Sequence, residues 1–185
     1  MRAARLALLL FLPLAACATL PGTASTPYLP ASVFGIYEDN DIGAINYAAW
    51  AFASPANTRG NPLAAMRAVI ALEYLPGELT ESPRWIGMDG SIKLRLAQAR
   101  DEVRQILGIQ PNVPPQVVVN ALLWASNALQ AGDQPAALHA LAAPGFTLPP
   151  PVMLERLSNL PYVQDANLAT SRAQAQSFPP TDNTP

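Results

Sequence analysis

Proline returns so often in this chain, 20 times in 185 residues, that no helix or strand is expected to run far before one of them ends it. The stretches between the prolines carry helical spacing. Ile42, Ile45, Ala49 and Phe52 recur three and four apart between Ile42 and Ala53. Asn61-Pro62 has the form of a helix start, a capping amide followed by a proline at the first helical position. Leu63, Met66, Ile70 and Tyr74 then line one face until Leu75-Pro76-Gly77 is expected to stop it. Trp85, between Ser82-Pro83 and Gly87, reads as a core aromatic beneath a loop. The clearest amphipathic helix opens at Asp89 or Ser91 and buries Ile92, Leu96, Ala99, Val103 and Ile106, with Gly108 as its closing residue. Lys93, Arg100 and Arg104, beside Asp101 and Glu102, are expected on its solvated face.

From Ile109 to Gly132 the chain has no charge, and Pro111, Pro114 and Pro115 divide it into a stiff loop and a helix from Pro115 to Ala131. Two further helices are expected from Val152 to Leu160 and from Tyr162 to Gln176. No stretch sustains the alternation of a strand. The expected fold is all-α, a compact bundle of about six or seven short helices, with residues 33–176 as one helical domain. The helices at 91–107 and 115–131 are expected to pack against each other, the second as the central member and Ile42–Ala53 as the third. Residues 17–32, rich in proline and without charge, read as a disordered tether, the alternative being that Tyr28 and Leu29 dock on the domain, and 177–185 read as a disordered tail.

The first residues set the address. Arg2 and Arg5 precede an apolar run from Leu6 to Leu14, followed by Ala15, Ala16 and Cys17, the three-part layout of a secretory signal over residues 1–16. The apolar run falls well short of the about 20 residues a membrane-spanning helix needs. Leu14-Ala15-Ala16-Cys17 resembles the lipobox of bacterial lipoproteins at all four positions. The resemblance implies that the Cys17 thiol is alkylated with diacylglycerol, that the signal is cut just before it, and that the membrane is a partner through this lipid. Ala18 in place of aspartate implies, for a Gram-negative cell, an outer-membrane anchor facing the periplasm.

One stripe of the uncharged helix stands out. Asn120, Trp124 and Asn127 fall at i, i+4 and i+7, two amides flanking a large aromatic, a face suited to holding an extended peptide by its backbone while the indole packs a side chain. The bland reading of the same stripe has both amides bonded to neighbouring loop carbonyls. Ala125 to Leu138, ASNALQAGDQPAAL, is similar to the turn of a tetratricopeptide hairpin, a resemblance that implies peptide contacts for Asn120 and Asn127. It covers one hairpin of about 25 residues, without a second copy at the repeat period of about 34.

Several classes of chemistry find no support. Removing residues 1–16 takes Arg2 and Arg5 from the eleven Lys and Arg, leaving nine against thirteen Asp and Glu; so acidic a chain is a poor partner for nucleic acid. Cys17 is the one cysteine, so no internal disulfide forms. Glu38-Asp39-Asn40-Asp41 fails as a calcium loop, because counting from Asp39 places Ala44 and Trp50 where glycine and glutamate are required. It reads instead as a helix N-cap with carboxylates at the positive end of the dipole. His139, the single histidine, has no nucleophile motif to complete. No metal, cofactor or enzymatic activity is expected. The expected function is an envelope interaction or scaffold lipoprotein contacting another envelope protein through the 120–127 face. The alternatives are a cell-wall or lipid hydrolase using carboxylates such as Glu73 or Asp89, and a carrier whose signature is an apolar cavity of about 300 Å³ or more.

Overall fold

The computed structural model describes residues 26–31, 33–35 and 39–177. Cys17, the other lipobox residues Leu14, Ala15 and Ala16, and the tail beyond residue 177 lie outside them. Seven α-helices follow one another: α1 (Asn40–Ala53), α2 (Pro62–Glu81), α3 (Gly90–Leu107), α4 (Pro115–Gln130), α5 (Gln134–Ala140), α6 (Pro150–Ser158) and α7 (Gln164–Ser177), with 3₁₀ turns at Pro55–Asn57 and Pro83–Trp85. Among the described residues the one β feature is a bridge between Ile109 and Phe146, and no helix is long and apolar enough to cross a membrane.

Local chemistry starts most of these helices. Asp39 accepts from the Ile42 amide, Asn61 from Ala64, Asp89 from Ser91 and Asp133 from Ala136, each satisfying a first-turn N–H that has no helical partner. Gly108 closes α3 in the left-handed region at φ 66°, a conformation that glycine adopts without cost.

The centre of the bundle is α2, not α4. Its buried residues run almost continuously from Ala64 to Leu79, and α1, α3, α4 and α6 all pack on it. The helices at 91–107 and 115–131 therefore do not share the interface expected of them, because α2 lies between. Nor does α2 stop at Leu75-Pro76-Gly77: it continues through Pro76 to Glu81. A proline inside a helix costs about 3 kcal/mol, but Tyr74, Leu75 and Leu79 are buried on either side of it, and burying such side chains returns about 1.5–3 kcal/mol each.

Arg104 is the second departure. It is 2% exposed, not solvated, and it grips Glu73, itself 1% exposed, through Nε to Oε1 at 2.7 Å and Nη2 to Oε2 at 2.6 Å. Its Nη1 also donates to the carbonyls of Pro111 and Val113 at 3.0 and 2.9 Å. The reason is that α3 is wedged between α2 and α7, so flanks that would be wet on a surface helix are covered. Arg100, one turn earlier, is nearly buried as well and bonds Asp101, while its Nη1 has no partner among the described residues.

The end of the expected tether is part of the folded body. Leu29 is 4% exposed and belongs to the core. Thr26 donates from its amide and hydroxyl to Glu81, and Asn40 donates to the carbonyls of Leu29 and Pro30. Residues 26–31 thus form a strap across the end of the bundle where α1 and α4 begin and α2 ends.

Candidate functional site

The uncharged helix α4 turns Val118, Val119, Ala121, Leu122 and Ala125 inward. That orientation leaves the stripe Gln116, Asn120, Trp124 and Asn127 facing outward, one residue per turn. Trp124 is 66% exposed, a large apolar side chain left in water like Tyr28, Trp50 and Ile86, and it is the one of these that borders two clefts among the described residues. It forms a ridge between two clefts. The first, of 540 Å³, lies between α4 and α2, with Leu63, Arg67 and Ile70 on one side, Asn120, Leu123, Trp124 and Asn127 on the other, and the strap residues Tyr28, Pro30 and Ala31, with Val33 beyond them, along its margin. The second, of 450 Å³, lies between α4 and α5 and is mostly apolar, lined by Val117, Ala121, Ala140, Ala143 and Pro144 with His139 beside them.

Asn120 and Asn127 have different fates. Asn120 accepts at Oδ1 from Gln116 Nε2 at 2.9 Å, while Asn127 is exposed and faces the first cleft. The amide that holds a backbone is Gln116, which accepts from the Tyr28 N–H at 2.7 Å and donates to the Tyr28 carbonyl at 3.2 Å. The chain therefore carries, on this face, one residue of extended backbone read at both polar groups by a side-chain amide. Gln116 lies four residues before Asn120 on the same stripe, so extending the helical spacing by one turn was the signal for it. Arg67 had no such signal, since nothing local tells which flank of α2 meets the cleft.

Among the described residues, Arg67 is the one charged side chain lining the first cleft. Its guanidinium stands 5.3 Å from the centre of the Tyr47 ring, a cation–π distance. Burial pushes the Tyr47 phenol upward from its ordinary value, and the Arg67 charge opposes that rise. Tyr47 also meets Phe34 and Trp50 at ring-centre distances of 6.0 and 5.3 Å, and the three line a shallow cleft of 330 Å³ beside it.

The carboxylates considered for hydrolysis are committed elsewhere. Both oxygens of Glu73 are held by Arg104; burial pushes its carboxyl upward from the usual range, and the Arg104 bonds pull against that. Asp89 is an N-cap, its carboxyl held low by the Ser91 amide. The acidic cluster before α1 works as a staple: Asp41 accepts from the Tyr74 hydroxyl at 2.5 Å and the Trp85 indole at 3.0 Å, and Arg84 bridges Asp39 and Asp41. Burial raises the Tyr74 phenol well above its ordinary value, with the accepting Asp41 adding to it. Among the described residues no three His, Cys, Asp or Glu side chains gather as a metal site.

Compared with family models, with curated proteins and with solved structures, the chain matches none of them. The α4–α5 hairpin turns at Gly132, φ 76°, and α5 has seven residues against sixteen in α4.

Proposed function

We propose that this protein is a lipid-anchored envelope binding protein, tethered through Cys17 and engaging a partner protein through the α2–α4 face that carries Asn120, Trp124 and Asn127. The observation that supports it is Trp124, exposed as a ridge between two clefts, on the same stripe of α4 that two turns earlier carries the backbone-reading amide of Gln116. Tryptophan is enriched among the few residues that carry most of the binding energy at protein interfaces. In this reading the partner contributes an extended segment that runs along α4 and lays a side chain against the indole. The anchor would keep the protein on the outer membrane of a Gram-negative cell, facing the periplasm.

A photo-crosslinking residue at Gln130, which lines the first cleft, tests the reading in intact cells against the same residue at Glu102 on the exposed side of α3. One discrete adduct at Gln130, lost when Asn120 and Trp124 are changed together to alanine, is the expected result. Equal adducts at both positions, or none at either, would remove it. The apolar cleft on the α5 side favours one second reading, the binding of a small apolar ligand. That reading requires an apolar fluorescent probe to bind and to be excluded by Ala143→Trp, which places an indole at the half-buried margin of the cleft.

A further inference from the structure

The first cleft has features that define its occupant more narrowly. Among the described residues that line it there is a cation and no acid, although the protein as a whole has thirteen acidic residues against eleven basic ones. Arg84, Arg95, Arg100 and Arg104 each have a carboxylate within reach, whereas Arg67, like Arg59, Lys93, Arg156 and Arg172, takes part in none of the ion pairs among the described residues, and of these unpaired cations Arg67 is the one that lines this cleft. The Tyr47 ring supports the guanidinium from one side, and its planar fork of donors matches a carboxylate at two points.

The strap supplies the second feature. Thr26 is tied to Glu81 at the end of α2, Tyr28 to Gln116 in the first turn of α4, and Leu29 and Pro30 to Asn40 at the start of α1. The strap therefore crosses one end of the α2–α4 cleft, and a polypeptide laid along the cleft meets it and must stop. Ser126 touches Met66 through a 3.2 Å Oγ–Sδ contact, which places Arg67 level with the last third of α4; Pro30, Ala31 and Val33, which follow the bond to Gln116, line the same cleft as Arg67, and Phe34 meets the Tyr47 ring that supports the guanidinium. An incoming chain would thus end beside Arg67 and leave past Leu63 and Gln130. Asn127 lies eleven residues beyond Gln116, about 16 Å along the helix, a span of about five extended residues. It is the next amide placed to read a backbone as Gln116 reads Tyr28.

We propose that the cleft captures the free C-terminus of an extended polypeptide, with Arg67 pairing the terminal carboxylate, Asn127 bonding the backbone and Trp124 packing an apolar last side chain. This rests on the protein-binding role proposed above and names the part of the partner that is bound. The extended backbone excludes a free fatty acid, and the strap, which leaves no way through, excludes an acidic side chain within a continuing chain.

The test uses the full chain purified in detergent and a random octapeptide library coupled through its N-termini, presented once with free C-terminal carboxylates and once as C-terminal amides. Selected free-acid peptides are then measured in solution. Amidation and Arg67→Gln should each weaken binding about tenfold to a hundredfold, the scale of one charge-assisted pair, and together no more than either alone. Arg67→Lys should retain part of the affinity, and unchanged thermal unfolding of Arg67→Gln serves as the folding control. Equal binding of acid and amide forms, with both lost on Trp124→Ala, would overturn the carboxylate capture and leave the binding face standing. Equal binding of amidated peptides that carry an internal Asp or Glu would also overturn it. Binding of no peptide in either form would remove both proposals.

Discussion

Glu73 and Arg104 form an ion pair that the rest of the fold has to justify, because two charges this deep lose several kcal/mol of hydration each. The pair closes its own account locally. Arg104 spends donors on both Glu73 oxygens and on two loop carbonyls, so it ties α2, α3 and the loop before α4 together at one point. Arg104→Met should lower the unfolding free energy in urea by about 3–5 kcal/mol, since it leaves a buried carboxylate without a partner. Adding Glu73→Leu should recover part of that loss but not all, because the Pro111 and Val113 carbonyls stay unbonded. Glu78 gives a test with the opposite sign to ordinary acid denaturation. Burial raises its carboxyl, and the neighbouring Asp41 charge raises it further, so the folded state holds the proton more tightly than the unfolded chain does. The stabilisation this gives is complete below the ordinary carboxyl value and is lost as pH rises through the folded value. Glu78→Gln should therefore raise Tm at about pH 7 and converge with the wild type towards about pH 4, as scanning calorimetry across that range would show.

What could be read from the sequence differs by element, according to whether the deciding contact is local. The caps at Asp39, Asn61 and Asp89 and the glycine closing α3 lie within a few residues of the backbone groups they satisfy, so spacing alone placed the helix starts. The passage of α2 through Pro76, the burial of Arg104 and the docking of Leu29 depend on which helices arrive from elsewhere in the chain, and no local pattern carries that. The face on α4 was half legible for the same reason: helical spacing put Asn120, Trp124 and Asn127 on one side, but the cleft exists only because α2 and the strap border it. The Phe146 loop shows how tightly such non-local contacts are fitted. Gly145 has φ 85°, its carbonyl accepts from Gln110, and an added Cβ would overlap Val113 Cγ2. Gly145→Ala should cost about 1–3 kcal/mol from backbone strain and overpacking. Val113→Ala in the same chain should return the overpacking part only, a partial rescue measurable in a double-mutant cycle. For the strap, Leu29→Ala should speed hydrogen exchange at the Tyr28 amide, which Gln116 protects, while exchange in the middle of α2 stays slow.

At the scale of the whole molecule the strap changes how the protein would sit on a membrane. With Thr26 already fixed to α2, a lipid on Cys17 would be separated from the folded body by residues 18–25 alone, and eight residues span at most about 28 Å. The α1–α2 turn at Arg59 lies at the far end of α2, about 30 Å from the strap for a helix of this length. A short connection at one end of an elongated pair of helices should hold the molecule end-on, with the strap and the mouth of α4 towards the lipid. Cys17 is the one cysteine, and once acylated it cannot take a thiol dye, so Tyr28→Cys and Arg59→Cys can each be labelled alone on exposed side chains. Energy transfer to an acceptor dye at the bilayer surface should be markedly higher from position 28 than from position 59. An inserted flexible linker of about 20 residues after Gly22, with a root-mean-square length of about 25 Å, should shrink that difference without altering Tm. Equal transfer in the unmodified chain would show that the short tether does not orient the domain, and palmitate labelling that survives Cys17→Ser would show that the anchor lies elsewhere.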